Sequence, residues 1–438
     1  MTDILKPNVK QQFAADKFFE FLLDPTAKEF TISGSAGVGK TFLMGYIIDK
    51  IMPRYSEMCK LLGIKEEYTT VMMTATTNKA ADVLSQSTKR PTQTIHSFLN
   101  LKVTENFTTG KKNLEKTRNW CVHENMIIFT DECSMIDNDL DRVFQEGTHN
   151  CKIVYVGDKD QLAPVGLDTS PIYKRNIPIY ELTEQMRNSG QPALMDVCQQ
   201  LRETVQTGVF KPIQIVPGVI DHLNTDEMRT EVTNHFSQQT MDSRILCYTN
   251  RTVMEYNNGI RKLRQLPDEY QEGELLVNNS SIRIKSRMIS VEEDVEIIKL
   301  GPIEKHQIPS RKTPEPVMLD VQLVDIHTAL NGTFHGVPIP TDRAHYDELK
   351  RYFQKNKMWE ERGYMTNTFP DLRPRDAATV HKSQGSTYQD VFIDLDDIST
   401  CNFKDQAARM LYVAFSRAKN RVFLYGNLAD KYGGLIEA

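Results

Sequence analysis

Eight residues near the amino terminus, Gly34-Ser35-Ala36-Gly37-Val38-Gly39-Lys40-Thr41, have the spacing G-x-x-x-x-G-K-[ST], and each residue type has a use in holding phosphate. The glycines let backbone N–H groups turn toward phosphate oxygens with no Cβ in the way. Lys40 has the length to reach β- and γ-phosphates, and the Thr41 hydroxyl suits Mg²⁺. Two further runs complete a hydrolytic set. "IIFTDECSM" delivers Asp131 and Glu132 from the end of an apolar stretch. Asp131 suits Mg²⁺, generally through water, and Glu132 suits the general base that polarises an attacking water. Transfer to a substrate hydroxyl would not need that water-directed carboxylate, so the pair favours hydrolysis. "YVGDKDQLAPV" places Gln161 where it can sense a γ-phosphate or its water. Arg187 in "LTEQMR" and Arg417 in "LYVAFSRA" have unusual settings. The apolar neighbours of Arg417 predict a helix packed into a core with one charge aimed outward. A planar, permanent cation suits a transition state whose charge is spread over phosphoryl oxygens.

Such residues need strand ends to carry them. Short β-rich runs end in polar motifs: "FTIS" before Gly34, "VMMTAT" before Thr77, "MIIFT" before Asp131 and "KIVYV" before Gly157. A second series comprises "RILCYT", "VFIDL" and "RVFLYG". This is the pattern of parallel strands in α/β sheets, whose ligands bind beyond the carboxyl ends of the strands. Helical patterns lie between them. "ALMDVCQQLRETVQTG" sets Leu194, Val197, Leu201 and Val205 on one face and stops at Gly208. Two stretches break the rhythm. Residues 97–118 alternate around a turn near Thr108-Thr109-Gly110, which predicts an inserted hairpin, and residues 268–370 read as a small β module. Within that module "TDRAHYDELKRYFQKNKMWEERG" predicts one amphipathic helix ending at Gly363. The expected fold is α/β, two tandem P-loop-type lobes with two insertions.

Composition restrains the partners less than the motifs do. Of the 438 residues, 39 % are hydrophobic and 25 % charged, an ordinary globular balance, and no apolar run approaches the roughly 20 residues of a bilayer span. The seven cysteines are scattered with no CxxC, which argues against a zinc site or a disulfide framework and for a reducing, cytoplasmic compartment. A net charge of -5 neither suggests nor excludes nucleic acid, because binding depends on local cationic clusters such as "RIKSR" and "GKKNLEKTR". Each cluster alone reads as a solvated face sooner than as a binding stripe.

The order of motifs resembles that of superfamily 1 helicases, specifically the RecD-like subgroup, from about residue 8 to 421. The likeness is weakest between 268 and 370. It implies RecA-like lobes at 1–96 with 119–188 and at 189–267 with 371–438, a strand-separating pin at 97–118, and an SH3-like insertion with a helical arm at 268–370. "NVKQQFAA" is similar to the segment whose glutamine reads adenine, here Gln11 with Gln12 as the alternative. The phosphate loop through Phe42 would bind ATP with Mg²⁺ on Thr41 and Asp131, and Arg187 and Arg417 match the arginines that reach the γ-phosphate from the inter-lobe cleft. "TATTNKAA", "TIHSFL", "YTNRTV" and "ATVHKSQGST" resemble the segments that touch single-stranded DNA. The resemblance gives that role to Thr77, Asn78, Thr94, His96, Thr249, Asn250, Thr379, His381 and Lys382. Gln384 and Gly385 would couple DNA to nucleotide, and Phe107 would be the wedge near the pin's tip. Outside this context His96 and His381 would read as packed core histidines.

Three positions depart from the family pattern: Thr76 and Ala163 stand where proline is usual, and Ser416 replaces threonine before Arg417. They leave the phosphate chemistry intact and bear on loop stiffness. The resemblance implies an ATP-hydrolysing motor on single-stranded and forked DNA, moving 5′-to-3′, serving replication, recombination or repair. It also implies a monomer, a single-strand-binding or other replication protein as partner, no membrane, and a host's cytoplasm if the gene is a phage's. A nucleotide-gated binding switch and an RNA helicase of the same superfamily are the alternatives. Both Glu132 and Arg417 speak against the switch, which needs less catalytic machinery.

Overall fold

The computed structural model describes residues 6–105, 112–164, 166–184, 191–285, 287–310, 312–313 and 315–437. The chain forms two compact units. One comprises Met1–Lys102, Leu114–His222 and Ser383–Ala438; the other comprises Val103–Asn113 and Leu223–Lys382. These units cut across the expected lobes, since the segments after residue 190 and after 382 join the first unit and residues 223–267 join the insertion.

The first unit is built on a parallel sheet of β1 (Glu29–Gly34), β2 (Thr70–Ala75), β3 (Thr92–Thr94), β4 (Met126–Asp131), β5 (Lys152–Gly157) and β6 (Ile179–Leu182), ordered β6-β1-β5-β4-β2-β3. All six residues of β5 are buried, as a central parallel strand covered on both faces requires. Alternation along the strands divides the core in two. Phe129, Val154 and Val156 join the cluster of Phe18, Phe30 and Ile32, whereas Ile128, Ile153 and Tyr155 join that of Phe98, Leu140 and Phe144. Helix α1 (Val9–Leu23) starts at an Asn8 capping box and ends where the buried Lys152 Nζ donates to the carbonyls of Phe21, Asp24 and Ala27. A cation at a helix carboxyl end meets both the orphan carbonyls and the dipole.

Helix α2 (Lys40–Tyr46) passes into a π-turn at Ile47–Ile51 and continues as Met52–Leu62. Pro53 explains the turn, since it has no N–H for the helix ladder and its ring would clash with the carbonyl four residues back. Helix α3 (Asn78–Thr88) follows β2. Helix α4 (Pro192–Thr207) stops at Gly208, φ 71°, as its pattern predicted. The same unit holds the parallel pair β7 (Tyr388–Asp394) and β8 (Ala418–Tyr425), with helix α5 (Lys404–Ser416) between them in sequence.

In the second unit Ser243–Cys247 pairs in parallel with Ala377–Thr379. The insertion is an antiparallel sheet of Gly332–Pro340, Val317–Thr328, Asp294–Ile308, Leu275–Asn278 and Leu372–Pro374 in that order. Its last strand lies past the expected boundary at 370. The long strands serve two cores, one around Ile297, Val324 and Phe334 and one where Ile308, Leu319 and Val321 meet Tyr346, Phe353 and Met365 of the arm. The arm is two helices, Arg343–Lys355 and Trp359–Thr368, not one ending at Gly363. Lys357 at φ 53° turns the chain and lets the Met358 N–H close on the Phe353 carbonyl.

Leu101–Glu105 and Lys112–Lys116 are strands flanking the expected pin tip. Residues 97 and 98, expected in the hairpin, belong instead to a helical turn, Ile95–Phe98, capped by Thr94. Phe107 lies outside the described residues.

Candidate nucleotide site and its coupling network

Between β1 and α2 the backbone turns through Gly37 and Gly39 at φ 88° and 82°, conformations that any side chain would strain. Gly34 is needed for a different reason: a Cβ there would meet the Leu182 carbonyl oxygen at 2.6 Å. Lys40 Nζ folds back over the loop, donating to the carbonyls of Gly34 at 2.6 Å and Ser35 at 3.0 Å. Val38 is buried and its carbonyl accepts from Gln11 Nε2 at 3.0 Å. The Gln11 Oε1 accepts from the Asn8 N–H at 3.0 Å. Gln11 is fully buried, so its carboxamide braces the loop, and adenine contact would require one of these bonds to open. Gln12 lies nearer the surface, accepting from the Tyr46 hydroxyl at 3.3 Å. Ser35, Ala36, Thr41 and Phe42 are half-buried around the cradle.

β4 ends at the acidic pair. Glu132 takes a left-handed conformation, φ 53° and ψ 39°, unusual for a residue with a Cβ and the kind of strain stored at functional sites. The turn sets the Glu132 N–H on Asp131 Oδ1 at 2.9 Å. Burial, then the neighbouring Glu132, push the Asp131 carboxyl up to about 7 against the pull of Lys40. A divalent cation would relieve exactly that kind of crowding of negative charge, and the Asp131 carboxylate with the Thr41 hydroxyl supplies hard oxygen donors. Among the described residues no group of three or more His, Cys, Asp or Glu could hold a metal ion. This donor set fits Mg²⁺ that keeps waters and shares the substrate's phosphates. Thr76, at the position where proline was usual, donates to the Glu132 carbonyl at 3.3 Å, a bond that proline cannot make.

Beyond β5, Asp158, Asp160 and Gln161 are buried and heavily bonded. Asp158 Oδ2 accepts from both Tyr412 Oη at 2.6 Å and Gln161 Nε2 at 3.4 Å. Asp160 accepts from Arg202 Nε at 2.7 Å and Gln206 at 2.8 Å, and Arg202 also donates to Glu181. Arg409 donates to the carbonyls of Lys159 and Gln161 at 2.9 and 2.8 Å. Among the described residues the buried Gln161 Oε1 has no hydrogen-bond partner, and neither has the Oε1 of Gln384, whose Nε2 donates to the Leu162 carbonyl at 3.4 Å. Gly385 follows at φ 75°.

Arg417 ends α5 and is 3 % exposed, so the charge is not aimed outward as its sequence setting predicted. Its guanidinium donates to the carbonyls of Val413 and Ser386 and to Ser416 Oγ, at 2.9 to 3.2 Å. Ser416 thus keeps a hydroxyl where the family has threonine. Among the described residues no carboxylate pairs with Arg417. A cavity of 620 Å³ is lined by Ser35, Ala36 and Gly37 of the phosphate loop and by Arg202, Tyr412 and Ser416. Loop and arginine helix therefore border one space of ligand size. Arg187 lies outside the described residues.

The positions expected on DNA divide between the units. Thr77 and Thr94 cap α3 and the turn Ile95–Phe98, each accepting the N–H three residues on, at 3.2 and 3.1 Å. Asn78 and His96 are half-buried, and burial lowers the His96 pKa. In the second unit Thr249 caps the helix Asn250–Leu263, and Asn250 is exposed. Thr379 is buried within its strand. His381 is half-buried with its pKa lowered by burial. Lys382 Nζ is paired with Glu292 at 3.1 Å and with Asn279. Tyr412, Arg202 and Arg409 had no signal in the motif spacing; a tyrosine in an apolar run and arginines on helix patterns read as packing and surface.

Residues 24–167 match the AAA domain family and residues 376–425 the UvrD-like helicase C-terminal domain family. An uncharacterised protein of Acanthamoeba polyphaga mimivirus, R530, is 23 % identical over 95 % of this chain and 99 % of its own length. ATP-dependent DNA helicase Dda of Enterobacteria phage T4 is 24 % identical over 90 % of this chain and 93 % of its own. Among solved structures, Pif1 helicase from Candida albicans has 17 % identity and a TM-score of 0.49, covering 98 % of this chain and 97 % of that one. Pif1 from Bacteroides, in complex with ADP-AlF3 and single-stranded DNA, has 15 % identity and a TM-score of 0.48, covering 99 % and 95 %. Motif order, the two family matches and the full-length kinship with Dda make this chain a P-loop helicase of superfamily 1, RecD-like in its motifs and distantly homologous to the phage enzyme.

Proposed function

We propose that this helicase hydrolyses ATP in the cavity bordered by the phosphate loop and α5, and spends the cycle moving 5′-to-3′ along single-stranded DNA and opening the duplex ahead. The observation that carries the reading is the shared cavity of Ser35–Gly37 and Ser416, with Arg417 buried next to Ser416 and matched, among the described residues, by neutral acceptors. A buried cation without a carboxylate is costly until an anion arrives. Glu132 takes a proton as the water oxygen attacks the γ-phosphorus, the bond to the β-bridging oxygen breaks, and ADP leaves with that oxygen's charge. Lys40 and Arg417 hold the charge that spreads over the phosphoryl oxygens, and Gln161 orients the water through its unpartnered Oε1. Mg²⁺, when bound through Thr41 and Asp131, neutralises phosphate charge. Arg187 is the second arginine of the motif resemblance.

DNA contacts fall to Thr77, Asn78, Thr94 and His96 in one unit and to Thr249, Asn250, His381 and Lys382 in the other. Stepping requires the two sets to release in turn, with Gln384 and Gly385 relaying the nucleotide state. The strand pair Leu101–Glu105 and Lys112–Lys116 acts as the pin, Phe107 as its wedge, and the antiparallel insertion as an SH3-like support. The enzyme acts as a monomer on forked DNA, in replication, recombination or repair. The test is unwinding of duplexes carrying a 5′ or a 3′ single-stranded tail with ATP and Mg²⁺, beside ATPase with and without oligonucleotide. Opening of the 5′-tailed duplex alone is expected. Opening of the 3′-tailed duplex alone refutes the polarity, and ATP turnover indifferent to oligonucleotide refutes the motor. Matched RNA strands separate a DNA from an RNA helicase.

A further inference from the structure

Asp158 Oδ2 serves two donors at once, the side chain of Gln161 and the hydroxyl of Tyr412. Tyr412 lies on α5, five residues before Arg417, and Arg409, one turn earlier, holds the backbone carbonyl of that same Gln161. Gln161 is therefore gripped by one helix at both ends, through Asp158 at its side chain and through Arg409 at its main chain. The opposite side of the segment is fixed by Arg202, which anchors Asp160 to Glu181. We propose that Asp158, Tyr412 and Arg409 form a positioning relay that reports the orientation of Gln161 to the helix ending in Arg417, so that water orientation and the arginine engage together. The inference deepens the ATPase-motor reading above and rests on it.

The physical argument is one of shared lone pairs. When Gln161 swings its carboxamide to a γ-phosphate or its water, the 3.4 Å bond to Asp158 opens and that oxygen is left to Tyr412 alone. A charge-assisted bond to a buried carboxylate tightens when a competing donor leaves. The hydroxyl stays a donor throughout, because burial and then Asp158 hold the Tyr412 pKa well above its usual value. Tightening at Tyr412 draws α5, and with it Ser416 and Arg417, which share the helix backbone. Arg409 limits the movement to rotation of the Gln161 side chain, since its bonds pin the carbonyls of 159 and 161.

Tyr412→Phe removes the hydroxyl and keeps the buried ring. It should lower the DNA-stimulated kcat about 10-fold while ATP affinity, read by a fluorescent nucleotide, stays within about twofold. Asp158→Asn and Tyr412→Phe should be non-additive in a double-mutant cycle, the double variant being no slower than the worse single one. Tyr432→Phe is the control: that hydroxyl is buried too, but donates to the Cys401 carbonyl and not to Asp158 or Gln161. It should leave stimulation unchanged. Additive losses, or equal losses in Tyr412→Phe and Tyr432→Phe tracking a lowered melting temperature, overturn the relay in favour of packing. Full stimulation in folded Tyr412→Phe overturns it as well. Absence of stimulation in the parent protein removes the motor reading and the relay with it, so the two failures are told apart by the parent's own assay.

Discussion

The second unit pairs its buried arginines with carboxylates, whereas the first pairs Arg202 in that way and treats Arg417 differently. In the second, Arg264 reaches both oxygens of Asp376 at 2.9 and 2.6 Å, Arg261 pairs with Glu274, and Arg375 pairs with Asp294 at 3.2 Å. In the first, Arg417 is as deeply buried and finds, among the described residues, carbonyls and a serine hydroxyl. Pairing makes a buried cation part of the scaffold, whereas a cation left without its counter-charge is held ready for an anionic ligand. Removing one member of a buried pair strands the other charge and costs about 3–5 kcal/mol. Removing an unpaired cation strands nothing.

Arg417→Ala sets the largest contrast. Its kcat should fall about 10³-fold, as for other arginines that meet a transferring phosphoryl group. Its melting temperature should stay within about 3 °C of the parent's, below the shift that a kcal/mol gives in smaller domains. A calorimetric scan beside a steady-state ATPase assay checks both. A variant that unfolds in parallel with its loss of activity would make Arg417 another scaffold residue.

Arg264→Met should behave the other way. It leaves Asp376 buried without its partner, and unfolding in urea should register a loss of about 3 kcal/mol, with turnover per folded molecule preserved. Adding Asp376→Leu should recover most of it, since two apolar groups replace two charges.

The shape of the phosphate loop was legible because the motif is mostly backbone: Gly37 and Gly39 needed φ values near 85°, and Lys40 and Thr41 follow at the start of the helix. Strands and the stop at Gly208 were equally plain. Arg417's burial was not legible, because an arginine beside apolar residues reads as snorkelling. The break in the arm was missed because Lys357, unlike glycine, gives no sign of a left-handed turn. Tyr412 and Arg202 bond to partners 21 or more residues away in sequence, which no spacing encodes. The DNA contacts, and the roles of the hairpin as a pin and of the β module as an SH3-like insertion, came only through resemblance.

A pH scan sharpens the contrast from the scaffold side. Burial alone would raise the Asp371 pKa, but a hydrogen bond from Arg373, the charges of Arg343 and Arg373, and a bond from Asn279 bring it down to about 2. A carboxyl depressed from 3.8 to about 2 stabilises the fold by about 2 kcal/mol above pH 4. That contribution should fade as pH falls from about 4 through 2. Asp371→Asn should flatten this part of the curve, measured by denaturant unfolding at each pH.

The smallest effect belongs to Thr76, whose hydroxyl reaches the Glu132 carbonyl at 3.3 Å. That bond supports the left-handed turn that carries the Glu132 carboxylate. Thr76→Val keeps the shape and deletes the donor, a net loss of about 1 kcal/mol at most for a bond of this length. If the loss falls on the turn, kcat should drop about threefold with ATP affinity unchanged. Thr76→Pro should restore most of the rate, since a stiffened loop can replace a bonded one. Should Thr76→Val lose stability but no rate, the hydroxyl braces the end of β2 and has no part in aiming Glu132.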